Sequence, residues 1–86
     1  MKILVFINEN QYQDSDLAEI LSEMSQQDMK FEILDSTKMD HQNKFDLYAI
    51  MQTPAIVVCQ DDGKPVDIWQ DNLPRIDQIA HAIGYV

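Results

Sequence analysis

Tyr48-Ala49-Ile50-Met51-Gln52-Thr53-Pro54-Ala55-Ile56-Val57-Val58-Cys59 runs from a helix end through one proline into an apolar strand. Phe45, Tyr48 and Ile50 or Met51 recur at helical spacing and predict the inward face of a helix. The apolar run from Ala55 to Cys59 predicts a strand buried on both faces. A Thr-Pro pair directly before such a strand is where a fold can hold a cis peptide bond, a form rare except before proline.

On the N-terminal side, Lys2 to Ile7, continuously apolar from Ile3 on with Ile, Val and Phe included, predict a buried strand. Asn8 to Asp14 is polar and predicts an exposed loop. Asp16 with Glu19 fits a capping box, and Leu17, Ile20, Leu21 and Met24 follow on one helical face that Gln26-Gln27-Asp28 ends. Phe31 and Ile33, with Met29, alternate with Lys30 and Glu32 and predict a strand to about Asp35. Thr37 with Asp40 fits the cap of a second helix.

On the C-terminal side, Asp61-Asp62-Gly63-Lys64 predicts a hairpin turn, because Asp-Gly tolerates positive φ. Pro65 starts a fourth strand, through Gln70, packed by Val66, Ile68 and Trp69. Pro74 opens the last helix, whose stripe is Ile76, Ile79, Ala80 and Ile83, and Gly84 stops it. The order β-α-β-α-β-β-α predicts an α/β domain: a four-stranded mixed sheet with helices on both faces.

The chain has 86 residues, which predicts one domain, 1–86, burying roughly 60–65% of its unfolded surface. Fifteen acidic residues against six basic give a formal charge of -9, a surface that repels nucleic acid and anionic membranes. The acid is spread along the chain, as in a solvated surface. Five apolar residues after Met1-Lys2 are too few for a signal-peptide core or a membrane span, so the expected location is cytoplasmic. A single cysteine excludes an internal disulfide and a Cys-based zinc cage.

The element order resembles the minimal thioredoxin fold found in glutaredoxins, over essentially the whole chain. Three stretches carry the resemblance. Ile3-Leu4-Val5-Phe6 leads through a loop into a helix, Tyr48-Ala49-Ile50-Met51-Gln52-Thr53-Pro54 is similar to the family's Tyr-Gly-Ile-x-x-x-Pro, and an apolar strand with a Gly-containing hairpin follows. The resemblance implies a cis-proline loop facing the loop where the family has Cys-x-x-Cys. Here those two positions are Gln11 and Asp14, neither able to form the thiolate that thiol–disulfide exchange requires. Val5 stands where many relatives carry a buried acid, and Asn10 where a tryptophan commonly precedes the cysteines. The family's dithiol mechanism is thereby excluded. What the resemblance leaves is the proline loop, where the Thr53 backbone would offer a short docking edge to an extended peptide.

Other constellations carry less. Cys59 falls at a usually apolar strand position and is followed by Gln60, Asp61 and Asp62, so it reads as a core residue rather than a reactive thiol. The oxygen-rich loop of Asn8, Glu9, Asn10, Asp14, Ser15 and Asp16 lacks the glycine and terminal Glu of an EF-hand, and helix capping accounts for its acids. His41 and His81 have no neighbouring ligand in sequence, and no metal or cofactor is expected. Tyr12 either anchors a partner as an exposed aromatic or folds back onto Trp69 or the proline loop.

The function these residues predict is a redox-inactive domain that is not an enzyme. It would bind a protein or peptide, a basic one by charge, at Tyr12, Gln13, Thr53 and Pro54. The alternatives are a stand-alone assembly protein, as a homo-oligomer, and a monothiol or glutathione-dependent enzyme using Cys59.

Overall fold

Two short, continuously apolar runs organise the sheet. The computed structural model describes residues 1–9, 14–70 and 72–84. They form β1 (Lys2–Ile7), α1 (Ser15–Gln26), β2 (Glu32–Asp35), α2 (Gln42–Leu47), β3 (Ala55–Cys59), β4 (Pro65–Trp69) and α3 (Ile76–Ala82). A single 3₁₀ turn, Met39–His41, precedes α2. The sheet order is β2-β1-β3-β4. β1 runs parallel to β2, Val5 opposite Ile33, and antiparallel to β3, with Val5 opposite Ile56. β4 lies antiparallel on the far side of β3.

Successive side chains of a strand point to opposite faces, and both faces of β1 and β3 are apolar. Ile3, Val5, Ile7, Ile56 and Val58 pack under Leu17, Ile20 and Met24 of α1 and Ile79 of α3. Leu4, Phe6, Ala55, Val57 and Cys59 pack under Phe45 and Tyr48 on the other face. Phe6 meets Phe45 edge-on with ring centroids 4.9 Å apart. Val5 and Phe6 are fully buried, each side chain contributing about 1.5–3 kcal/mol.

Two helices end in the same way, and neither uses glycine. After α1, Asp28 takes a φ of 57°, after α2, Ala49 takes 53°. The Met29 N–H reaches back to the Met24 carbonyl, and the Ile50 N–H to the Phe45 carbonyl, at 2.9 Å each. Those six-to-one bonds are Schellman closures, and each is accompanied by the expected apolar contact between the bonded residues. Ala49, at the position where the motif of the resembled family has glycine, takes the left-handed backbone that glycine adopts most readily.

Several sequence expectations are corrected. α1 is capped by Asp14, not by an Asp16–Glu19 box: Asp14 Oδ1 accepts from the Asp16 and Leu17 N–H groups at 2.9 and 3.1 Å. Asp16 already lies inside the first turn, where its charge favours the helix dipole. Thr37 does not cap α2, which starts only at Gln42 with His41 at the cap position; the Thr37 N–H and hydroxyl instead donate to Asp35 Oδ1 at 2.9 and 2.7 Å. The amide bond first, then the hydroxyl, hold the Asp35 carboxyl below its ordinary range. Met51 is 85% exposed, since the turn at Ala49 swings it away from the core. β4 ends at Trp69, and its Val66 is exposed because this strand is the sheet's edge. Pro74 is buried just ahead of α3 rather than within it. Arg75 holds the cap position, and its N–H donates to Gln78 Oε1 at 2.8 Å.

Candidate functional site

The Thr53-Pro54 peptide bond is cis, and both residues are half-buried. The loop that carries them is held from the end of β4. Gln70 Oε1 accepts from the Met51 N–H at 2.7 Å and the Gln52 N–H at 3.2 Å, and Gln70 Nε2 donates to the Ala49 carbonyl at 3.2 Å. One amide side chain thus satisfies three backbone groups that neither α2 nor β3 reaches. Below this loop, Tyr48 donates its hydroxyl to the Gly63 carbonyl at 2.7 Å and ties α2 to the β3–β4 hairpin. Gly63 needs its φ of 95° for that turn, closed by the Gln60 N–H on the Lys64 carbonyl at 2.8 Å. Burial above all, then the Cys59 thiol and the Asp62 carboxylate, push the Tyr48 phenol up to about 12.

A cleft of about 650 Å³ opens beside Pro54. One wall is α1, which presents Asp16, Glu19, Ile20 and Glu23 at i, i+3, i+4 and i+7. The opposite wall is the segment entering α3, with Leu73, Pro74, Arg75 and Ile76. Asp14 stands at the end of the α1 wall and Asp77 at the end of the other. Ile20 and Pro74 are buried while Leu73 and Ile76 are half-buried, so the cleft has an apolar floor under a carboxylate rim. Arg75 is paired to Asp77, Nε to Oδ1 at 3.2 Å and Nη2 to Oδ2 at 3.3 Å.

Of the residues expected from sequence, Pro54 lines the cleft and Thr53 precedes it. Gln11, Tyr12 and Gln13 lie outside the described residues. Asp14 is described, and its carboxylate is occupied with the first N–H groups of α1. Val5, where many members of the resembled family carry a buried acid, is fully buried among aliphatic residues. Cys59 is 1% exposed, with no opening for a reagent from solution. Among the described residues no three His, Cys, Asp or Glu side chains are grouped to hold a metal ion, and no helix is long and apolar enough to cross a membrane.

The sequence reading missed the Gln70 clamp and the α1 wall. The wall had a signal: Asp16, Glu19 and Glu23 flank Ile20 at the spacing of one helical face. Gln70 had none, because a hydrogen bond across some twenty positions leaves no local pattern.

No family model and no curated protein matches this sequence. Among solved structures, thioredoxin 1 from the thermophilic eubacterium Thermosipho africanus TCF52B superposes with a TM-score of 0.68 at 17% identity, covering 99% of this chain and 92% of that one. With its mixed β2-β1-β3-β4 sheet, helices on both faces and a proline loop entering β3, the chain has the thioredoxin-like fold.

Proposed function

We propose that this chain is a thioredoxin-like binding domain that does not exchange disulfides and that docks an extended protein segment at the loop around Thr53 and Pro54. The observation that carries the reading is the cleft of about 650 Å³ that meets Pro54, apolar at its floor and open at its rim. Its size is in the range of sites that hold a few side chains. The docking surface comprises Pro54 and the walls of the cleft, with the Tyr12-Gln13 pair, which precedes Asp14 in the chain, proposed as part of it from sequence alone. Two further facts support a binder over an oxidoreductase. Gln11 and Asp14 occupy the dithiol positions of the resembled family, and the single thiol, Cys59, is 1% exposed.

The test is recovery of a partner with the purified chain, followed by measurement of its affinity for Pro54→Ala and Leu73→Ala variants whose circular dichroism matches the parent. The expected result is at least a fivefold loss of affinity in each, about 1 kcal/mol. Unchanged affinity in both folded variants overturns the reading. So does disulfide reduction at a rate above that of free cysteine.

A further inference from the structure

Resting on the cleft as the docking site, we infer that its occupant is an extended segment in which basic and apolar side chains alternate. The two walls differ in chemistry. The α1 wall offers the carboxylates of Asp16, Glu19 and Glu23, and none of the three has a hydrogen-bond or ion-pair partner among the described residues. The facing wall offers Leu73, Ile76 and the ring of Pro54. Arg75, the cation in this lining, is already paired with Asp77 and so leaves the field on the α1 side uncompensated.

Spacing argues for an extended occupant. Glu19 and Glu23 are four residues apart on α1, about 6 Å along a helix at 1.5 Å per residue. Residues i and i+2 of an extended chain lie about 6.6 Å apart on the same face. Two basic side chains at i and i+2 therefore meet Glu19 and Glu23 in register, while residues i+1 and i+3 face the apolar wall. A chain charge of -9 adds long-range attraction for such a segment and repels an acidic one.

The experiment is an amide-resolved NMR titration with three blocked octapeptides, alternating Arg-Leu, Ser-Leu and Glu-Leu. The expected result is that Arg-Leu shifts the amides of residues 16–23 and of Leu73, Arg75 and Ile76. Its affinity falls about tenfold in Glu19→Gln/Glu23→Gln, as expected for two exposed ion pairs. A control pair far from the cleft, Glu32→Gln/Asp46→Asn, removes the same charge and changes affinity less than about twofold. Equal weakening by both pairs overturns the inference, because attraction is then only to net charge. Ser-Leu binding in the cleft as tightly as Arg-Leu overturns the basic occupant but leaves the docking site standing. Shifts at the cleft from none of the three peptides overturn both.

Discussion

Tyr48 shows how one residue joins core, turn and pH response. Its ring packs on Phe6 with centroids 6.1 Å apart, and its hydroxyl holds the Gly63 carbonyl. Tyr48→Phe keeps the ring and removes the bond, with an expected cost of about 0.5–1.5 kcal/mol by urea unfolding at neutral pH. An unfolded tyrosine ionises near pH 10, whereas the folded Tyr48 keeps its proton to about 12. Between those values unfolding releases a proton that the native state retains. The stability linked to Tyr48 is therefore complete below about pH 10 and is lost as pH rises toward 12. Urea midpoints measured across that window should decline less steeply in Tyr48→Phe than in the parent. An identical decline in both would remove the assignment.

At the scale of elements, the helix ends are where backbone strain is concentrated. Ala49 carries a φ of 53°, a conformation that costs a residue with a Cβ about 1 kcal/mol. Ala49→Gly is expected to relieve that strain, against the greater freedom glycine gives the unfolded chain, for a net gain of up to about 0.5 kcal/mol in urea. Asp14→Ala is expected to cost about 1 kcal/mol, because two N–H groups of α1 lose their acceptor. The element order, both central strands and the inward residues of the helices other than Met51 were legible in the sequence, since period and burial go together. The caps were not. Asp14, Ser15 and Asp16 are all competent cap residues, and only the entry angle of the chain decides among them. The second helix misled for a related reason: Thr37 donates its N–H and hydroxyl back to Asp35 Oδ1 instead of accepting from a helix N–H. In the candidate site, Pro54 was legible from its place before an apolar strand. The facing wall, Leu73 to Ile76, was not, because it becomes a wall only when α3 packs beside α1.

For the whole molecule, charge opposes compaction. A formal -9 over 86 residues is self-repelling, and the acid is distributed over the surface rather than confined to a tail. Added salt screens that repulsion, so raising KCl from low to moderate concentration should lift the thermal midpoint by a few degrees. Thermal melts in KCl series check this, and a falling midpoint would mean that local ion pairs outweigh the global field. Cys59 provides a second whole-molecule readout, since its 1% exposure makes thiol labelling report on opening of the sheet. Labelling should therefore follow unfolding, and quick modification of the native chain would contradict a buried position.

The Gln70 side chain grips the proline loop through Ala49, Met51 and Gln52, and three positions later in the chain Leu73 joins Pro54 on the wall that faces α1. The proline loop and Leu73 therefore share one hinge pin and make a single jaw of a calliper whose other jaw is α1.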